Sequence, residues 1–192
     1  DIPLGLKQGH LDLRPYSDEW PLLFSAAKAQ IEAAIGAYVL DIQHVGSTSV
    51  PGLIAKPILD IGIAVADFDE ARRCIQPMEA LGYEYRGENG IPRRHYFKLA
   101  APDSQSTLHH VHMNEINSDD WRAQVVFRDA LRNSPELLER YAALKIQLSQ
   151  STAGARRAYT DSKTGFITKA LIEHLPDLLP CVGDEITVRA YK

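Results

Sequence analysis

The amino-acid sequence predicts an α/β (α+β) domain: a mixed β-sheet flanked by an N-terminal helix and by C-terminal helices. Apolar residues recur at helical spacing up to residue 36 and again beyond residue 118. Between them, residues 38–116 break into short β-branched and aromatic runs separated by Gly, Pro, Asn and Asp. With 192 residues, 45% of them apolar and 24% charged, the chain can build one good core and pack a small extra lobe on it. One domain over residues 1–176 and a tail over 177–192 are expected.

The first helix follows Ser17, an N-cap residue, and carries Trp20, Leu23, Phe24, Ala27, Ile31, Ala34 and Ile35 on one face until Gly36 stops it. Residues 38–44 and 57–65 read as strands on either side of a glycine-hydroxyl turn. Asp67 then caps a short helix through Leu81, bent by Pro77. Asn89-Gly90-Ile91-Pro92 joins the runs 83–88 and 94–99 as a hairpin, and residues 108–116 supply a fifth strand. Ser118 opens a helix with Trp121, Val125 and Leu131 inward, and Ser134-Pro135-Glu136 opens another carrying Leu137, Leu138, Tyr141, Leu144 and Leu148. A last helix spans residues 154–174 with Tyr159, Phe166, Ile167, Ala170 and Leu171 on its buried stripe, and Pro176 ends it. Residues 185–191 alternate like a short strand.

Composition narrows the function classes. A net charge of -4 gives no broad attraction to a nucleic acid polymer or to an anionic membrane, so any phosphate contact must be local. A small-molecule or nucleotide ligand is expected first and a protein partner second, with the oligomeric state left open. The two cysteines, Cys74 and Cys181, make neither a disulfide framework nor a metal knuckle, which fits a reducing cytoplasm. No stretch approaches the roughly 18 apolar residues that a membrane span needs, and the first 20 residues lack a signal-peptide core. A cytoplasmic location follows as an expectation.

The chemistry gathers between residues 43 and 61. There a strand leads into the turn Gly46-Ser47-Thr48-Ser49, followed by Lys56 and by Asp60 inside an apolar strand. A Gly-Ser turn lets the backbone approach a phosphate closely, and a carboxylate opposite can hold a divalent cation that screens it. Strand alternation puts Asp60, Gly62 and Ala64 on one face, where a carboxylate is costly unless it is paired or ligates. Five of the seven histidines lie between His44 and His112. His110 and His112 project from one face of their strand, so with Asp60 they can form a facial metal set or hydrogen-bond a substrate. Arg93 and Arg94 leave the hairpin in tandem, and one guanidinium can face the cleft while the other stays solvated. Tyr159 and Lys163, one helical turn apart, either lean together into the cleft or form a surface pair.

Several segments together resemble the GrpB family. They are His44-Val45-Gly46-Ser47-Thr48-Ser49-Val50-Pro51-Gly52-Leu53, Ala55-Lys56-Pro57-Ile58-Leu59-Asp60-Ile61, Tyr83-Glu84-Tyr85-Arg86-Gly87-Glu88-Asn89-Gly90-Ile91-Pro92 and Tyr159-Thr160-Asp161-Ser162-Lys163-Thr164-Gly165-Phe166-Ile167. The likeness runs from about Leu13 through Leu171. It implies a nucleotidyltransferase-like fold, the palm-like mixed sheet shared in outline with DNA polymerase beta and the aminoglycoside nucleotidyltransferases. The superfamily's Gly-Ser turn maps onto Gly46 and Ser47, and its first metal-binding acid onto Asp60. Its second acid maps onto Gly62, and where a third would lie on a later strand this chain has His110 and His112. Members fused to dephospho-coenzyme A kinase imply a folding or partner module.

Two functions are expected first, with a metal-dependent enzyme of another class, using Asp60 and the histidines alone, as a third. One is nucleotidyl or phosphoryl transfer from an NTP to a small molecule with Mg²⁺ or another divalent cation. The other is a non-catalytic, ligand-binding or chaperone-like module. The expected catalytic residues are Asp60 and His112, and the metal set is Asp60, His110 and His112. Substrate contacts are expected from His44, Gly46, Ser47, Thr48, Lys56, Arg93, Arg94, Tyr159 and Lys163.

Overall fold

A computed structural model describes residues 4–7, 12–102, 105–150 and 156–174. Six strands form one sheet: β1 Leu6–Lys7, β2 Asp41–Val45, β3 Leu59–Val65, β4 Glu84–Tyr85, β5 His95–Ala100 and β6 Ser106–Glu115. Their order is β2-β3-β6-β5-β4, with β1 beside the start of β6. Among the described strands only the β3/β6 pairing is parallel, which makes the sheet mixed as expected. In register, Asp60 stands opposite His110, Gly62 opposite His112 and Val65 opposite Glu115. Strand β1 has no counterpart in the sequence reading, because two residues carry no alternation to read.

One face of the sheet is covered by α1 (Glu19–Ile35) and α2 (Ile75–Ala80). Trp20, Ile31 and Ile35 pack there against Ile42, Ile61, Ile63, Phe97, Val111 and Met113. Each such side chain contributes about 1.5–3 kcal/mol through removal from water. A second core joins α3 (Asp119–Asn133), α4 (Pro135–Gln150) and α5 (Arg156–His174) to Val50 and Leu53, the residues just beyond the glycine turn. Ser118 caps α3 as expected: its hydroxyl accepts from the Trp121 N–H at 3.2 Å and donates to the Glu115 carbonyl at 2.6 Å.

Local departures have local causes. The first helix ends at Ile35, but Gly36 stays right-handed at φ −54° and opens a 3₁₀ turn, Gly36–Tyr38, which delays the strand to Asp41. Asp67 does cap, accepting from the Glu70 N–H at 2.9 Å, yet Glu70–Cys74 is 3₁₀ and the α-helix begins only at Ile75. Pro77 explains the split, since it has no N–H for the carbonyl four residues back and is tolerated only in a first turn. The hairpin tip is left-handed at Asn89 and Gly90 as the motif requires, and at Arg93 as well. The tail over 177–192, with its expected strand, lies outside the described residues. Among those described, no helix is long and apolar enough to cross a membrane.

Candidate functional site

Strand pairing brings Asp60, His110 and His112 together on the sheet face away from α1. His112 Nε2 lies 3.3 Å and His110 Nδ1 3.5 Å from Asp60 Oδ1. Burial pushes the Asp60 pKa up, but the two imidazoles outweigh it through hydrogen bonds and charge and hold the carboxyl well below the usual range. Burial is also the largest influence on His112 and keeps it below its ordinary value, against the pull of Asp60. Arg94 reaches the far side of the same ring, its Nη1 3.3 Å from His112 Nδ1. Its guanidinium also donates to the carbonyls of Glu88 at 3.3 Å and Asn89 at 3.0 Å, and lies over the Tyr96 ring at 4.9 Å.

The glycine turn packs directly on this carboxylate. Gly46 has φ +69°, and a Cβ there would sit 2.5 Å from Asp60 Oδ2 and 2.8 Å from its Cβ, so only glycine fits. The next residues, Ser47–Ser49, make one 3₁₀ turn. Ser47 Oγ accepts from Lys145 Nζ at 2.7 Å, and the same ammonium donates to the Ile54 carbonyl at 2.6 Å. Lys145 is only 2% exposed. Burial, and after it the charges of Lys163 and Lys56, hold its pKa well below the lysine range, with Asp60 opposing. Tyr141, on the preceding turn of α4, presents its ring to the same ammonium, with Lys145 Nζ 5.4 Å from the ring centre. Arg132 donates twice to the Ser49 carbonyl, at 3.0 and 2.6 Å, and Arg128 Nη1 reaches Gln43 Oε1 at 2.7 Å and the His44 carbonyl at 3.0 Å.

Cations from α3 and α4 therefore hold the turn from behind, and sequence reasoning missed them. The sign for Lys145 was present: Leu137, Tyr141 and Lys145 are spaced by four and are the buried residues of α4, so a lysine stands in the apolar stripe.

Not every expected residue joins the cluster. His44 is opposite Ile61 in register and faces α1, where Phe24 stacks on it at 4.8 Å. Its Nε2 lies 2.9 Å from Thr48 Oγ1, which donates to the Ile58 carbonyl at 3.3 Å, so His44 and Thr48 brace the turn from beneath. Burial, helped by Arg132 and Arg128, pushes the His44 pKa down to about 4 against the pull of Asp60. Arg93 is not brought to the site, because it forms a two-pronged pair with Glu115 at 3.0 and 2.9 Å. Glu115 faces Val65, five residues along β3 from Asp60, or roughly 16 Å at the strand rise. Lys56 and Lys163 stand close enough to Lys145 to act on it by charge. The Tyr159 side chain lies outside the described residues.

Gly62, two residues beyond Asp60 on the same strand face, is the position where the resemblance leads one to expect a second acid, and helix α3 packs closely over it. A Cβ there would meet Trp121 Cζ3 at 3.1 Å, Val45 Cγ1 at 3.4 Å and Gln124 Oε1 at 3.6 Å. Helix α3 thus lies down on the sheet where a second carboxylate would need room. Among the described residues no group of three His, Cys, Asp or Glu side chains is arranged to hold a metal ion. The donor set therefore does not fit a resident pair of divalent cations, which needs bridging carboxylates.

Comparison with known proteins agrees with this architecture. Residues 10–173 match the family described as "GrpB protein". A UPF0157 protein of Bacillus subtilis is 34% identical over 81% of this chain, and one of Pseudomonas aeruginosa is 36% identical over 84%. The chain spans 44% of the length of the first and 66% of the second. A dephospho-CoA kinase of Mycolicibacterium paratuberculosis is 28% identical over 79% of this chain, which spans 42% of that protein. The crystal structure of conserved protein GrpB from Enterococcus faecalis has a TM-score of 0.77 at 30% identity, covering 88% of this chain and 99% of that one. Cid1 poly (U) polymerase, solved with Mg 3′-dATP bound, shares the fold at a TM-score of 0.50 and 14% identity, over 71% of this chain and 43% of that one.

Proposed function

The chain belongs to the GrpB family, and from that footing we propose that the Asp60 face binds a phosphorylated small molecule, a nucleoside triphosphate first among them. One contact carries this reading: the buried Lys145 ammonium, 2.7 Å from the Ser47 hydroxyl at a glycine turn. Lys163 and Lys56 act on the same ammonium with like charge, and Asp60 opposes them. A buried ammonium beside further cations is costly beyond what one carboxylate offsets, and phosphate oxygens relieve it through charge-assisted hydrogen bonds. A magnesium–nucleotide complex carries its cation largely on its own phosphates, so this ligand asks the protein for cations and hydroxyls and needs no resident metal. Two-metal nucleotidyl transfer is not the chemistry we assign, since Trp121 stands where the second acid would project.

Calorimetry with ATP, GTP, CTP and UTP, each with Mg²⁺ and with EDTA, tests the proposal. Binding of at least one is expected, and Lys145→Met should weaken it by about 1.5–3 kcal/mol, on the order of 10–100-fold in Kd. No heat with any nucleotide or with inorganic triphosphate would overturn it.

Trp121 at the second-acid position also favours a second reading, a non-catalytic module that steadies an enzyme, and the likeness to part of a dephospho-CoA kinase supports it. That reading expects a stable complex with the host's dephospho-CoA kinase that survives Ser47→Ala and Asp60→Ala. Analytical ultracentrifugation showing no complex would remove it.

A further inference from the structure

The polar atoms around His112 decide its tautomer. A guanidinium carries donors only and stays protonated. Arg94 Nη1, 3.3 Å from His112 Nδ1, can therefore only donate, and Nδ1 must accept. A neutral imidazole with an accepting Nδ1 carries its proton on Nε2, the nitrogen 3.3 Å from Asp60 Oδ1. Arg94 is 2% exposed and anchored by two backbone carbonyls, so it has little freedom to turn away.

This arrangement is the reverse of a metal-binding histidine. A ligating imidazole gives its lone pair to the metal and donates its other N–H to a carboxylate, a carbonyl or water. Ligation through His112 Nε2 would require a proton on Nδ1, facing the Arg94 donors, and the two N–H groups would oppose each other. His110, with Nδ1 3.5 Å from the same Asp60 oxygen, leaves the carboxylate held by imidazoles where the superfamily holds it by metal. Asp60 nonetheless keeps 31% of its side chain exposed, within reach of a ligand.

We infer that Arg94 is a positioning residue that locks His112 as the Nε2–H tautomer, which makes Asp60 and His112 a hydrogen-bonded acid–base pair flanked by His110 and not a metal centre. The chemical partner such a pair takes is a hydroxyl or ammonium group of a ligand, donating to Asp60. The inference concerns the face proposed to bind phosphate but rests on different atoms, so either can fail alone.

Nitrogen NMR of the ¹⁵N-labelled full chain tests it. The expected wild-type spectrum shows a His112 ring with bare Nδ1 and protonated Nε2. In Arg94→Met the tautomers mix and Nε2 becomes available, so Mn²⁺ should bind on the order of 10-fold more tightly and broaden the His112 signals, an effect weak in wild type. A protonated Nδ1 in the wild type overturns the inference, as does Mn²⁺ broadening of equal strength with and without Arg94. If Arg94→Met does not fold, the wild-type tautomer and its Mn²⁺ titration still decide the matter. Nucleotide binding by the wild-type protein, measured separately in EDTA, reports on the phosphate site alone.

Discussion

Replacing Gly62 with aspartate would put a second carboxylate on the Asp60 face of the sheet, and the packing predicts a destabilised protein with no new metal centre. A side chain at 62 begins 3.1 Å from Trp121 Cζ3, closer than most packed atoms sit, so the indole must give by a few tenths of an ångström before the carboxylate beyond Cβ is placed at all. Overpacking of this kind costs about 1–3 kcal/mol. The carboxylate beyond it would face Gln124 Oε1, which has no hydrogen-bond partner among the described residues and can only accept. A buried acceptor left without a donor adds about 1–3 kcal/mol. Together that is roughly 2–6 kcal/mol, and at about 2–4 °C per kcal/mol for a chain of this size the melting temperature should fall by roughly 4–24 °C. Thermal unfolding followed by circular dichroism would compare wild type, Gly62→Ala, Gly62→Asp, Trp121→Ala and Gly62→Asp/Trp121→Ala. The alanine at 62 isolates the steric part. Removing the indole costs about 3–5 kcal/mol by itself but opens the place, so the double variant should lose at least about 1 kcal/mol less than the sum of its singles. A Gly62→Asp protein as stable as wild type, or a strictly additive double variant, would refute the idea that Trp121 fills the space beside Gly62.

Three further outcomes follow from the same geometry. Gly46→Ala combines about 1–2 kcal/mol of left-handed strain with a collision on Asp60, so urea unfolding should show a loss above 2 kcal/mol; a loss under 1 kcal/mol would mean the turn does not press on the carboxylate. His44 and His109 each have a folded pKa pushed down to about 4, chiefly by burial, so the unfolded chain takes the proton first. Stability is then complete above about pH 6.5 and falls as pH drops toward 4, by up to roughly 3 kcal/mol per histidine; urea midpoints unchanged between pH 7 and 5 would contradict this. For Lys145 the folded pKa is again the lower one, so the unfolded state binds more protons below pH 10.5, and wild type should gain stability over Lys145→Met as pH climbs toward that value. Parallel urea curves for the two proteins at pH 7 and 9.5 check the sign.

The parts of this molecule legible in its sequence are those governed by local period. Leu59–Val65 and Ser106–Glu115 are long, β-branched or alternating, and their faces can be counted off, which put His110 with His112 on one face and Asp60 on a face of its own strand; the parallel pairing of the two strands then brought the three together. His44 shows the limit of that method. Its face depends on the register of β2 against β3, a tertiary quantity, and the pairing with Ile61 turned it toward Phe24 and away from the carboxylate. Arg93 and Arg94 are neighbours with the same chemistry, and partners 18 and 22 residues away, His112 and Glu115, separate them into a site residue and an edge ion pair. Lys145, Arg128 and Arg132 act on a turn more than 80 residues earlier, which no window of sequence reports.

That separation also sets an order of assembly. The sheet-borne half of the site, with Asp60 and the glycine turn, leaves the ribosome well before residue 145, so a nascent chain ending at residue 116 has its carboxylate and hydroxyls but not the ammonium. Contacts of such span form late and slowly, because a long loop must close first. A ligand that touches both Ser47 and Lys145 would act as a rivet between the sheet and the helical layer, adding its binding free energy to the docking of α4. The protein would then respond to its ligand less by changing shape than by how firmly its last helices are held down.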